Sequence, residues 1–228
     1  MATHDNTPQE EQNGIENLNK HLTSAGEKVA NNKKIIYWGV GIILVVAAFV
    51  ISYLFIYKNP HTNRSWEAYN QVELDTQGND SLAAAKYMDV AKKYGATDGG
   101  NAAYLSAGEA FYNQGKYKEA LDCLKEFSSD DPVLAANAKT LEGDCYVNIN
   151  KYGDALDCYN KAISMAEENP QIVPRVLLKE ANIYDAQKKY ADALKCYETI
   201  KTQYPEFQFG NGLSVDAYIE REKARLGK

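Results

Sequence analysis

The chain is poor in residues that do chemistry. It has three histidines, His4, His21 and His61, far apart and without paired ligand spacing. It contains no CxxC pair, no GxSxG elbow and no glycine-rich phosphate loop. No catalytic, cofactor-binding or metal-binding set can be assembled from what remains. The expectation is a protein that is not an enzyme and takes no small-molecule substrate. Basic excess is also missing: 25 Lys and Arg stand against 31 Asp and Glu, a net charge of −6. Nucleic acid is bound through a basic face that neutralises phosphates, so that partner class is excluded.

Cysteine is scarce too. Three of the four, Cys123, Cys158 and Cys196, stand at matching places in a repeated phrase. Equivalent points on stacked helices lie at least roughly 8–10 Å apart, beyond the reach of a disulfide. Cys145 is the only plausible bridging partner for any of them. Small buried apolar residues are the favoured reading.

Against these absences stands IIYWGVGIILVVAAFVISYLFIY, residues 35 to 57, which carries no charge. As one α-helix its 23 residues would extend about 35 Å, enough to cross a bilayer core. Tyr37, Trp38, Tyr53 and Tyr57 sit near its ends, and Lys33, Lys34 and Lys58 close it. The expectation is a single transmembrane helix serving as an uncleaved signal anchor. The Lys and Arg bias places the N-terminus in the cytoplasm. The arm over 1–34 begins polar, and its Ile15, Leu18, Leu22 and Val29 suggest a short amphipathic helix within 15–30. Residues 58–64 read as a linker.

The rest of the chain repeats itself. GKYKEALDCLKEF, NKYGDALDCYNKA and KKYADALKCYETI begin at 115, 150 and 188. Each follows another apolar-periodic stretch, and WEAYNQVELD with SLAAAKYMDVAKKYG makes a weaker fourth version. In one unit Tyr104, Ala107, Gly108 and Phe111 share a helical face, Gly115 ends that helix, and Tyr117, Ala120, Leu121, Leu124 and Phe127 share the face of a second. Asp131-Pro132 caps and starts the next. The copy at 150 runs on to Pro170, so its second helix is expected to be extended. Gly108, Gly143 and Ala181 are expected to face Ala120, Ala155 and Ala193 where paired helices cross closely. One such hairpin cannot bury its apolar face alone, so hairpins must stack.

This pattern resembles the tetratricopeptide repeat, a helix-turn-helix unit of about 34 residues. The resemblance implies an all-α fold: a tetratricopeptide-type α-solenoid over 65–207, about four helix pairs, preceded by the transmembrane helix. A capping helix over 213–228 would start at Ser214 and turn Val215, Tyr218, Ile219 and Leu226 inward. A solenoid of this kind offers a concave face lined by the first helix of each pair. Its candidate protein-binding residues are Leu105, Glu109, Tyr112, Asn113, Thr140, Asp144, Val147, Asn148, Leu178, Asn182 and Asp185. Some members of the family clamp a peptide carboxylate there with Lys, Arg and Asn. Glu109, Asp144 and Asp185 stand among those places here, which argues against an adaptor for acidic C-termini.

The whole layout resembles the bacterial ancillary Sec-translocon subunit family. That implies an inner-membrane protein, N-terminus cytoplasmic and repeats periplasmic, with translocon subunits, a periplasmic chaperone or secreted clients as partners. Two alternatives stay open: a scaffold of another envelope complex (outer-membrane assembly or cell division), and a cytosol-facing import receptor of inverted topology. Asp80-Ser81-Leu82 also matches a short O-glycosylation motif of some bacterial envelopes. Asn63-Arg64-Ser65 and Asn79-Asp80-Ser81 fit the N-glycosylation pattern.

Overall fold

A computed structural model of the chain describes residues 20, 23, 33–76, 79–210 and 214–227. Of the polar arm before residue 33, and of the amphipathic helix expected within 15–30, all but residues 20 and 23 lies outside the described residues. The chain divides into two units, 1–60 and 61–228.

The first unit carries α1, Lys33–Ser52, followed by a π-helical segment, Tyr53–Lys58. The apolar run is therefore not one α-helix. Two lysines occupy the first turn of α1, and the α-helical bonding gives way after Ser52, which leaves 18 apolar and small residues in the 20-residue helix. Among the described residues no helix is long and apolar enough to cross a membrane. The side chains of α1 are nonetheless open: Trp38 is 75% and Phe49 76% exposed.

The second unit is helical, with no strand among its described residues. Its helices are α2 (Asn59–Thr76), α3 (Asp80–Tyr94), α4 (Asp98–Asn113), α5 (Tyr117–Glu126), α6 (Pro132–Asn148), α7 (Tyr152–Met165), α8 (Val173–Ala186), α9 (Tyr190–Gln203) and α10 (Val215–Arg225). Residues 59–64, read as linker, belong to α2. From α3 onward each helix packs on the next, and α4 also touches α6. That pattern is the nearest-neighbour burial that a repeated hairpin requires.

Local chemistry sets the boundaries. Asn79, Thr97, Asp131 and Ser214 cap α3, α4, α6 and α10, each accepting a backbone N–H three residues on. Between paired helices the same turn recurs. Gly115, Asn150 and Lys188 take left-handed φ values of 72°, 59° and 58°. Each following amide closes the helix: Lys116 N–H donates to the Phe111 carbonyl, Lys151 to Tyr146 and Lys189 to Tyr184, all at 2.9 Å. The second helix in the copy at 150 is extended relative to the preceding one, 14 residues against 10, but stops short of Pro170. α7 ends at Met165, and Glu167 and Glu168, with φ of 48° and 62°, spend the extra residues in a left-handed turn.

The core is a chain of clusters strung along the stack. Ala84, Tyr87, Ala91 and Ala107 fill one end. Ala120, Leu121, Leu124 and Cys145 follow. Tyr159, Val176, Ile200 and Phe209 lie in the largest cluster, and Ala193, Tyr197 and Ile219 close the far end. Leu124, Tyr159, Tyr197 and Ile200 are each at most 2% exposed, and burying one such side chain stabilises by roughly 2 kcal/mol. The small residues on the first helices do make room: Gly108 faces the Ala120 carbonyl, 3.5 Å from where its Cβ would stand, as expected, but it and Gly143 lie closer still to a large neighbour. A Cβ on Gly143 would stand 2.3 Å from Tyr159, and one on Gly108 would stand 2.8 Å from Leu124. All four cysteines are buried free thiols, Cys145 included.

Candidate functional site

The first helices α4, α6 and α8 line a cleft of 480 Å³. A second cleft of 330 Å³ continues it toward the ends of α6 and α8. Tyr112, Asp144 and Lys179 belong to both, so they stand where the two meet. Of the residues expected on this face, Leu105, Glu109, Asn113 and Thr140 line the larger cleft, and Val147, Asn148 and Asn182 the smaller.

Two do not join them. Leu178 is half-buried between two core clusters. Asp185 is taken by the capping helix. Arg221 and Arg225 of α10 both donate to its carboxylate, the latter at 2.7 Å, and both also hold the fully buried Glu222. Burial alone would raise the Glu222 pKa, but the bonds from Arg221 and Arg225 outweigh it and hold the carboxyl below its ordinary range.

The cleft also contains residues that repeat matching does not single out. Leu134, Leu141, Ile172 and Val176 give it an apolar lining, and Arg175 and Lys179 bring positive charge. Arg175 and Lys179 stand in register with Asn137 and Leu141 of the preceding unit. Those two columns lie beside the ones chosen from sequence, and their change from neutral to basic is the signal that was there to find.

Lys179 alters the electrostatics of the site. Its ammonium donates to both oxygens of Asp144 at 2.9 Å. The Tyr159 hydroxyl donates to the same carboxylate at 2.6 Å. Burial first, and this bond second, push the Tyr159 pKa up. Asp144 is thus neutralised from within the protein. Glu109, on α4, keeps a solvent-exposed carboxyl whose pKa the surrounding protein raises by excluding water.

Beneath this face lie two buried acids at matched places, Glu142 on α6 and Glu180 on α8. Lys139 donates to Glu142 at 2.5 Å, and the Cys158 thiol lies 3.9 Å from its other oxygen. The place of Lys139 is taken by Leu177 in the α8 unit. Among the described residues the Oε1 atom of Glu180 has no hydrogen-bond partner, and burial raises its pKa to about 7. The thiols are unreactive for the same reason: burial pushes Cys123 and Cys158 to about 11, and Cys145 and Cys196 to about 12.

Two tetratricopeptide repeat models match the chain, one over residues 105–171 and another over 175–206. No curated protein sequence matches it. Among solved structures, the crystal structure of MamA is similar with a TM-score of 0.56 at 20% identity, over 73% of this chain and 83% of that one. The crystal structure of BtubC (BKLC) from P. vanneervenii is similar with a TM-score of 0.57 at 14% identity, over 80% of each chain. At such identity these likenesses speak for the fold alone. The paired helices and their recurring left-handed turns agree with the two matched segments: over residues 105–171 and 175–206 the chain matches tetratricopeptide repeats.

Proposed function

We propose that the protein is a membrane-anchored scaffold that holds a polypeptide segment of a partner against the face formed by α4, α6 and α8. The observation that carries this reading is the pair of adjoining clefts there, whose walls mix apolar side chains with convergent polar and charged ones. Their volumes fall in or near the range of roughly 300–1,000 Å³ that suits ligand-sized occupants. A photoreactive side chain placed at Asn113 or Asn148 should crosslink in cells to a defined protein. The same probe at Glu198, on the exposed side of α9, should not. Equal capture from both positions overturns the assignment of the face.

The anchor rests on the 23-residue charge-free run and on the exposed apolar side chains of α1. Aliphatic and aromatic surface on this scale is costly in water, and lipid removes that cost. Carbonate extraction of cell membranes should leave the protein in the pellet, and deleting 35–57 should release it. The finer reading follows the layout. The protein would sit in a bacterial inner membrane with its repeats in the periplasm, beside the Sec translocon or a periplasmic chaperone, assisting secreted proteins as they emerge. Recovery of translocon subunits in mild detergent, dependent on the anchor, supports that assignment. Thiol labelling of the denatured domain from the cytosolic side only would overturn the topology.

A further inference from the structure

The charges of the larger cleft are not equivalent. Asp144 and Lys179 neutralise each other, and Tyr159 fixes the pair. A ligand that used either would have to break bonds already made inside the protein. That leaves Glu109 on α4 and Arg175 on α8. Neither has an ion pair among the described residues; the Arg175 Nε–H donates to the Gln171 carbonyl in the turn before its helix, and among the described residues no bond is made by its terminal nitrogens. Between them lie the α6 residues Leu134, Leu141 and Thr140, with Ile172 and Val176 beside Arg175. The cleft is thus polarised across its width, with a carboxylate on the α4 wall, a guanidinium on the α8 wall, and between them the leucines of α6 interspersed with Asn137 and Thr140.

An occupant must match that arrangement or leave a charge uncompensated in a partly dehydrated cleft, which is costly. A purely apolar segment strands both charges. A purely acidic one meets Glu109, and a purely basic one meets Arg175. Resting on the reading of this face as a peptide groove, we propose that it selects a short polypeptide segment in which apolar side chains are flanked by one acidic and one basic residue. The acidic residue seats on Arg175 through its guanidinium fork, and the basic residue seats on Glu109.

The test is selection of random nine-residue peptides displayed on phage against the full chain immobilised in detergent. A parallel selection uses the double variant Glu109→Lys/Arg175→Glu, whose two positions are exposed and outside the core. The expected wild-type consensus is an apolar core between opposite charges, and the double variant should enrich the reverse order of those charges. The consensus peptide, fluorescein-labelled, should bind the single variant Arg175→Glu roughly tenfold more weakly by anisotropy, the equivalent of one charge-assisted contact. A consensus lacking paired charges, or one whose order survives the double reversal, overturns the inference while leaving the groove reading in place. No enrichment over the bare support overturns the groove reading itself.

Discussion

Glu180 should make the stability of the repeat domain fall as pH rises toward neutrality, and removing its carboxyl should abolish that fall. The side chain is 5% exposed, and its Oε1 has no hydrogen-bond partner among the described residues. Burial raises its pKa from the ordinary 4.5 to about 7. At roughly 1.4 kcal/mol per pH unit, that displacement is worth about 3 kcal/mol. The sign follows from proton binding. Between pH 4.5 and 7 the folded chain holds a proton that the unfolded chain has lost, so stability drops as pH increases. Below pH 4.5 both states are protonated and the penalty vanishes; above pH 7 it is complete. Glu180→Met keeps the shape and removes the charge. Urea unfolding of both proteins, followed by circular dichroism from pH 4.5 to 8.5, gives a difference curve. It should rise by about 3 kcal/mol across that window and level off above pH 7. Because repeat stability is local, amide exchange in α8 and α9 should slow most in the variant at high pH. A difference independent of pH would refute the reasoning, since it would mean that the carboxyl is solvated or paired in the folded chain.

Three further outcomes follow from the same geometry. Lys139→Met leaves Glu142 buried without its cation and should cost about 3 kcal/mol, with most of it recovered in the double variant Lys139→Met/Glu142→Met; a double-mutant cycle in urea checks this. Lys188→Gly relieves a left-handed backbone at a place where the first unit already has Gly115, and should raise stability by about 0.5–1 kcal/mol, read as a shift in the thermal midpoint. Iodoacetamide at pH 8 should modify none of the four cysteines in the folded protein and all four after denaturation, counted by intact mass, because each thiol is buried and its pKa lies at about 11 or above.

The hairpin stack was legible because its determinants are local and repeated. Asp131-Pro132 announces a helix start wherever it stands, and the 115, 150 and 188 phrases place Ala120, Ala155 and Ala193 on buried faces without knowledge of any neighbour. What could not be read depends on which neighbour arrives. Gly143 is small for Tyr159 rather than for Ala155, because the tyrosine ring of α7 reaches across to the Asp144 carboxylate and sweeps over the glycine on the way. The end of α7 has a related cause: added residues can lengthen a helix or be absorbed in a turn, and here both happen, four going to the helix before Glu167 and Glu168 turn it off, a division that composition alone does not give.

The candidate cleft shows the same division more sharply. Choosing residues by matched position finds the columns that repeat, and Glu109, Asp144 and Asn182 form one of them along α4, α6 and α8. It fails where the array stops being periodic. Asp185 occupies the same column as Tyr112 and Val147, yet the capping helix that follows α9 brings Arg221 and Arg225 onto it. The hairpin of α8 and α9 is followed by the single helix α10, which turns part of that concave face into an internal contact. Lys179 departs in the opposite sense: its column holds Ser106 and Leu141 in the earlier units, and only here does it carry a charge, which cancels Asp144. Periodicity therefore builds the wall, while the departures from it set the chemistry. The departures at Arg175, Lys179 and Leu177 all fall on α8, and they leave one helix with an exposed guanidinium, an internal ion pair and a buried acid whose Oε1 has no partner among the described residues. If binding at the cleft shifts α8 even slightly, the hydration of Glu180 changes with it. Proton uptake or release on ligand binding, measured by calorimetry in buffers of different ionisation enthalpy near pH 7, would then report on that coupling, and its absence would place α8 as a rigid wall.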